Sequence, residues 1–223
     1  MEKILLELFS GSGQMSEVFR SHGWKTVTVD YNPEMKADYC MNVYDLTIPE
    51  IEKMCGRLPD VVWMSPDCTT YSKLGARYHR YKVTRTPVPK SDYAMYCDSH
   101  NRELFDMVQN TNWLWFIENP RGFMRLMDFV EGMPRYTVTY CQYGDTRRKE
   151  TDIFTNHPNP RFKPVCKNGD SCHLPVGHNG KYGNGIQAIE TVFERSKIPL
   201  GLCEHIYEIS EEFYNSDRSD RGD

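Results

Sequence analysis

Short apolar runs alternate with stretches of helical periodicity along most of this chain. Lys3 to Phe9 (KILLELF), Trp24 to Asp30 (WKTVTVD), Val61 to Met64 (VVWM) and Trp113 to Ile117 (WLWFI) read as buried strands. Asp38 to Leu46 is a weaker third strand in chain order. Met15 to Ser21, Ile48 to Cys55 and Ser91 to Gln109 read as helices, the last with Met95, Leu104, Phe105 and Val108 on its apolar face. Phe123 to Phe129 is a short helix. Tyr136 to Tyr140 and Thr151 to Phe154 alternate as a hairpin around a tight connection, Cys141 to Thr146. Ile186 to Glu194 and a stretch from Pro199 to about Tyr214 close the pattern as helices. Strands interleaved with helices imply an open α/β sheet.

The punctuation between these elements carries the candidate chemistry. Ser10-Gly11-Ser12-Gly13-Gln14 joins the first strand to the first helix. Glycine lets backbone approach a ligand there, and the helix start offers free N–H groups. Asp30 ends the second strand about 20 residues further on, where a carboxylate holds a pair of ribose hydroxyls. Asp30-Tyr31-Asn32-Pro33 is also good turn chemistry. Asp45 has two readings, contact with an adenine amino group or a cap for the next helix.

Ser65-Pro66-Asp67-Cys68 follows the third buried strand at once, so a thiol stands where open α/β sheets keep reactive groups. A thiolate is a strong carbon nucleophile, and a small buried core thiol is the competing reading. From Lys73 to Lys90 there are six Lys or Arg and no Asp or Glu, with Tyr71, Tyr78 and Tyr81 interleaved. Against an acidic whole, that block points to nucleic-acid backbone, with a solvated loop as the alternative. Glu118-Asn119-Pro120-Arg121 follows the next strand and aims a second reactive group at the same crevice. Arg147-Arg148-Lys149 brings cations into the hairpin.

Residues 157 to 184 are rich in Pro, Gly and Asn and hold Cys166, Cys172, His173 and His178. Their spacing, C-x5-C-H-x4-H, matches no standard zinc pattern, and no metal is expected. The chain has 223 residues, a formal net charge of −4 and eight cysteines without a pairing pattern. One domain with free thiols in a reducing cytoplasm is the expectation. The start carries too few apolar residues for a signal peptide, and no stretch reaches membrane-spanning length.

The order of glycine turn, acid, strand-end Cys, strand-end Glu-Asn and basic hairpin resembles the DNA cytosine-5 methyltransferase family, in a compact form similar to phage-encoded or prophage-encoded members. The carrying residues are Leu6-Glu7-Leu8-Phe9-Ser10-Gly11-Ser12-Gly13, Pro66-Asp67-Cys68-Thr69-Thr70-Tyr71-Ser72, Glu118-Asn119-Pro120, Arg147 to Thr151 and Ile198-Pro199. The resemblance implies an α/β, Rossmann-like fold of the S-adenosylmethionine-dependent methyltransferases: a mostly parallel sheet, an antiparallel edge hairpin and helices on both faces. Residues 1–156 would form the catalytic domain and 186–214 its closing helices. Residues 157–185 would be a small irregular insertion in place of a target-recognition domain, and 215–223 a disordered tail.

It further implies catalysis by Cys68, Glu118, Asn119, Arg147 and Lys149. S-adenosylmethionine would be bound by Phe9, Ser10, Gly11, Ser12, Gly13, Gln14, Met15, Asp30, Tyr31, Asp45, Ser65, Pro66 and Ser196, and released as S-adenosylhomocysteine. Lys73, Arg77, Arg80, Lys82, Arg85 and Arg121 would meet double-stranded DNA with the target base flipped out. A related activity on RNA, or a nucleic-acid-binding decoy that keeps the fold, are the alternatives. Two departures stand out: Asp67 directly before Cys68, where its charge would oppose thiolate formation, and Arg147 and Lys149 in a loosely matching Gln-x-Arg-x-Arg strand.

Overall fold

The structure, a computed structural model, describes residues 2–81, 87–173 and 192–221. In chain order it contains β1 (Ile4–Leu8), α1 (Gln14–Ser21), β2 (Lys25–Asp30), β3 (Tyr39–Cys40), α2 (Ile48–Cys55), β4 (Val61–Met64), α3 (Ala76–His79), β5 (Arg80–Tyr81) and β6 (Val88–Pro89). Then follow α4 (Asp92–Gln109), β7 (Leu114–Pro120), β8 (Arg135–Thr139), β9 (Glu150–Thr155), α5 (Val192–Ser196) and α6 (Leu200–Arg221). Seven strands form one sheet in the order β3-β2-β1-β4-β7-β9-β8. All run parallel except β9, which is antiparallel to both its neighbours. The chain leaves β1 toward β2 and β3, then returns to β4 on β1's other side. That switch point opens a crevice at the strands' carboxyl ends.

Side chains of the central strands alternate between two apolar layers. Leu6, Leu8, Val62, Met64 and Ile117 pack with Ile51, Leu104, Phe105 and Val108 of α2 and α4. Leu5, Val61, Trp63 and Phe116 pack with Met15 and Phe19 of α1 and Leu202 and Ile206 of α6. Burial on both faces is why these strands read as continuous apolar runs.

Several sequence expectations shift. The third strand shrinks to Tyr39–Cys40 because Asn42 turns the chain, its side chain accepting the Tyr44 N–H. Met95 lies half exposed, and α4 buries Ala94, Cys97, Asn101, Leu104, Phe105 and Val108 instead. The helix expected over 123–129 is two 3-10 turns, Met124–Leu126 and Asp128–Val130. α6 continues to Arg221 through most of the tail expected to be disordered, since no Gly or Pro interrupts it between Leu202 and Arg221. Most of the helix expected over 186–194 lies outside the described residues. Among the described residues, no helix is long and apolar enough to cross a membrane.

Arg80 is corrected from a nucleic-acid contact to a buried brace. Its guanidinium donates to both Asp98 carboxylate oxygens, at 2.6 and 2.9 Å, and to the Thr70 carbonyl at 2.7 Å. It also lies 4.4 Å from the ring centroid of Tyr71, whose hydroxyl donates to Asp98 at 2.7 Å. Tyr71 is therefore part of the core and not of the nucleic-acid-facing loop surface. The loop before it is hemmed in by bare backbone: a Cβ on Gly75 would stand 1.9 Å from the Thr69 carbonyl oxygen, and one on Gly122 would stand 2.2 Å from that of Tyr71. Asp98→Ala should leave a guanidinium with a 2% exposed side chain uncompensated. We expect a loss of about 3–5 kcal/mol in urea unfolding, whereas Lys73→Ala, on the exposed surface, should stay within about 0.5 kcal/mol of wild type.

Candidate active site

The crevice at the switch point is a cleft of ≈ 470 Å³, well sized for a small-molecule site. At one end is the glycine turn. Phe9, Gly11 and Gly13 all take left-handed backbone, with φ of 55, 50 and 68°. Gly13 caps α1 without a side-chain hydrogen bond. Asp30 fixes this turn by accepting the N–H groups of Gly11 and Asn32, each at 2.9 Å. Phe9, Ser10, Gly11, Ser12, Gln14, Met15, Asp30, Tyr31, Ser65, Pro66 and Ser196 all line the cleft, while Gly13 does not. Tyr31 is 73% exposed at its rim.

Asp45 does not line this cleft. It is exposed, and Thr47 with Glu50 forms the capping box of α2, so neither reading of Asp45 stands. Glu7 does line the cleft and had been absorbed into an apolar strand. Its carboxylate accepts the Ser16 N–H at 2.8 Å, capping α1 from β1. Burial pushes Glu7 up to about 7, opposed by the hydrogen bond from Ser16. An acid inside an otherwise apolar strand was the available signal.

At the other end the cleft carries Cys68, Glu118 and Lys149. Glu118 lies within β7 rather than beyond it, opposite Ile153 of β9. Its carboxylate accepts the Tyr140 hydroxyl at 3.0 Å, a partner the sequence did not suggest. Burial raises the Glu118 carboxyl, while Lys149 and the Tyr140 hydroxyl lower it. Burial also pushes the Cys68 thiol up to about 11; Lys149 pulls it down, and Glu118 and then Asp67 push it further up. Lys149 is 7% exposed and sits 4.6 Å from the Tyr140 ring centroid. One cation thus serves both reactive groups.

Asn119, expected among the catalytic residues, does not line the cleft. Its amide donates to the Pro66 carbonyl at 3.0 Å and so fixes the loop before Cys68. Asp67 accepts from the Thr69 N–H and hydroxyl, at 2.8 and 2.7 Å, and from the Tyr93 hydroxyl. It builds the turn in which Cys68 sits. Arg147 is corrected as well: Asp145 clamps its guanidinium, and it lines a neighbouring cavity with Gln14, Lys197 and Gly201. An acid two residues away outcompetes the cleft for this side chain. Around the site, Lys73, Arg77 and Arg121 are exposed, Arg121 paired with Glu150. Lys82 and Arg85 lie outside the described residues.

A cleft over the β1/β4 switch point, beneath a sheet reversed only at β9, defines a Rossmann-like methyltransferase fold. Comparison with known proteins then narrows the class. No family profile matches the chain. A probable DNA (cytosine-5)-methyltransferase of Frog virus 3 (isolate Goorha) is 30% identical over 172 residues, covering 75% of this chain and 77% of that protein. Among solved structures, the chain is similar to the Entamoeba histolytica methyltransferase EhMeth, with a TM-score of 0.48, 16% identity and coverage of 80% of this chain and 58% of that one. It is also similar to the S. pombe Dnmt2 methyltransferase, with a TM-score of 0.47, 17% identity and coverage of 69% and 50%. The chain thus spans little more than half the length of those two structures. The chain belongs to the DNA (cytosine-5)-methyltransferase family.

Glu7 gives a stability test. Its folded value of about 7 lies above the ordinary 4.5. Below the ordinary value it is neutral in both states and costs nothing. As pH rises through the folded value, the unfolded chain ionises first and stability falls. Relative to Glu7→Gln, the wild-type Tm should drop between about pH 5 and about pH 8. A constant difference across that range would contradict the buried, proton-holding carboxyl.

Proposed function

We propose that this protein transfers a methyl group from S-adenosylmethionine to carbon 5 of cytosine in DNA, through a covalent Cys68 adduct on a flipped base. The observation that carries this reading is the meeting of Cys68, Glu118 and Lys149 in one cleft with the glycine turn and Asp30. The DNA named for the Frog virus 3 relative supports the substrate.

The residues fit the cofactor. Left-handed Gly11 leaves bare backbone for its close approach, and Asp30 lines the same cleft for ribose hydroxyls. S-adenosylmethionine supplies an electrophilic methyl group and leaves as S-adenosylhomocysteine.

The chain's own groups account for the rest. Carbon 5 of cytosine is a poor nucleophile while the ring is aromatic. Cys68 gives its proton to solvent water, and the thiolate sulfur bonds carbon 6, which makes carbon 5 enamine-like. Glu118, held toward its acid form by burial, donates a proton to ring N3 as negative charge arrives there. Lys149 stabilises the thiolate before addition and the charged carboxylate after donation. Carbon 5 then takes the methyl group; solvent water accepts the carbon 5 proton, the freed electron pair re-forms the 5,6 double bond and expels the Cys68 thiolate, and the N3 proton returns to Glu118. Carbon 6 is inaccessible in a stacked pair, so the base must leave the duplex. Lys73, Arg77 and Arg121, exposed near the cleft's loops, would hold phosphates.

A DNA duplex carrying cytosine with fluorine at carbon 5 should trap the enzyme, because fluorine does not leave as a proton does. The adduct should survive denaturing gels, require cofactor and vanish in Cys68→Ser. Trapping of an RNA oligonucleotide with no trapping of DNA would replace the DNA reading. No adduct with either, alongside normal cofactor binding, would favour a binding protein that keeps the fold.

Asp30→Ala should weaken S-adenosylmethionine by about tenfold or more in calorimetry, since a charge-assisted contact to ribose is lost. Unchanged affinity would remove Asp30 from the site.

A further inference from the structure

The search of the molecule outside the cleft ends at the sulfur-rich corner beside the β8–β9 hairpin. Cys141 leaves β8 in a 3-10 turn, Tyr140–Tyr143. Cys166, Cys172 and His173 come from the segment after β9. Their donor atoms, with the Cys141 thiol, all lie within 4.8 Å of one another. Cys141 Sγ is 3.1 Å from Cys166 Sγ and 3.5 Å from Cys172 Sγ. His173 Nδ1 is 3.8 Å from Cys166 Sγ and 3.6 Å from Cys172 Sγ.

These separations define a coordination shell. Zinc–sulfur bonds of about 2.3 Å and a zinc–nitrogen bond of about 2.1 Å give a tetrahedron with S–S edges of about 3.8 Å and S–N edges of about 3.6 Å. The two S–N separations lie within about 0.2 Å of that edge, while the Cys141–Cys172 separation is short of the S–S edge by about 0.3 Å and the Cys141–Cys166 separation by about 0.7 Å. At 3.1 Å the Cys141 and Cys166 sulfurs stand well beyond a disulfide bond of about 2.05 Å.

The surroundings are built for such a site. Gln142 Nε2 donates to Cys172 Sγ at 3.5 Å, and Arg148 donates to the Cys166 carbonyl at 3.2 and 3.1 Å. Thr139 Oγ1 accepts the Cys166 N–H at 3.1 Å. The chain between the cysteines doubles back through a tight turn, in which Asp170 accepts the Lys167 N–H at 2.6 Å and Gly169 takes φ 93°. A turn at Ser171–Cys172 then brings adjacent Cys172 and His173 to one centre. From Asn156 to His173 there is no helix or strand, so this segment has no ladder of its own to hold it.

We propose that Cys141, Cys166, Cys172 and His173 bind one structural zinc ion that staples the segment after β9 to the hairpin. Three thiolates and one imidazole suit zinc among the available divalent ions, and four protein ligands leave no open position for catalysis. The spacing within 166–178 gave no zinc pattern because the fourth ligand comes from another part of the chain, Cys141. His178 lies outside the described residues.

The test is the metal content of the full chain, purified without a metal-binding tag from zinc-supplemented cells. Mass spectrometry should find about one zinc per chain, retained in Cys68→Ser and reduced about tenfold or more in Cys166→Ser and His173→Ala. A chelator strong enough to strip zinc should lower the Tm. Should the variants fail to fold, the wild-type chain decides the matter. Stripped and titrated with cobalt(II), it should show the intense visible bands of a tetrahedral cobalt–thiolate centre. Cys141, Cys166 and Cys172 should resist alkylation until chelator is added, while exposed Cys40 reacts throughout. Zinc below about a tenth of an equivalent, no cobalt–thiolate spectrum, or a Cys141–Cys166 disulfide in the native chain would overturn the proposal.

Discussion

A buried ammonium beside a buried carboxyl and a half-buried thiol is the arrangement on which the cleft depends. Burial disfavours the ionised forms of both Cys68 and Glu118, and Lys149 favours them. Without that cation the thiol would hold its proton still more firmly. Lys149 reaches the cleft because β9 runs backwards. The reactive ends of β1, β4 and β7 are their carboxyl ends. Only an antiparallel neighbour can bring the residue just before its own first position to that edge. β9 begins at Glu150, opposite the far end of β7, where Arg121 N–H meets the Glu150 carbonyl at 3.0 Å. Tyr140 completes the unit, its ring beneath the ammonium and its hydroxyl on Glu118.

The loop carrying Cys68 has little regular structure, yet it is held from several sides. The Cys68 carbonyl accepts the N–H groups of Tyr71 and Ser72, at 3.0 and 2.7 Å. The Tyr71 carbonyl accepts the Phe123 N–H at 2.7 Å, and Asn119 holds the Pro66 carbonyl. Arg80 and Asp98 grip Tyr71 from beneath. A thiol so placed keeps its geometry before any ligand arrives, which is what the proposed addition at a single ring carbon would require. The cationic loop thus divides its charges: Arg80 serves the scaffold, while Lys73 and Arg77 remain on the surface.

Local pattern revealed most of this fold because the central strands are buried on both faces and the connections are marked by Gly, Asp and Pro. β1, β2, β4 and β7 appear where apolar runs place them, and the glycine turn and Asp30 meet as expected. What stayed hidden depends on partners distant in sequence. Nothing near Arg80 shows that Asp98 will claim it. Arg147 and Lys149 look alike in a basic run, and only the Asp145 clamp separates them. Tyr140 ends an alternating strand and becomes a ligand of Glu118 only once β9 lies between β8 and β7. Cys141 lay outside the Cys-His spacing for the same reason.

The hairpin also joins the two ends of this chemistry. Consecutive residues leading into a strand point to opposite sides. Lys149 enters the cleft, while Arg148 turns the other way, to the Cys166 carbonyl and the Glu150 carboxylate, the latter at 2.9 Å. A metal at the cysteine cluster would hold Cys166 in place and with it the acceptor of Arg148. It would also pin Cys141, which directly follows Tyr140. Tyr140 therefore borders the cluster through its backbone, and Lys149 borders it at one remove, through Arg148. A segment too irregular to support itself would in this way fix the orientation of Lys149. On the proposed mechanism its contribution would be mechanical, transmitted through one turn of hairpin.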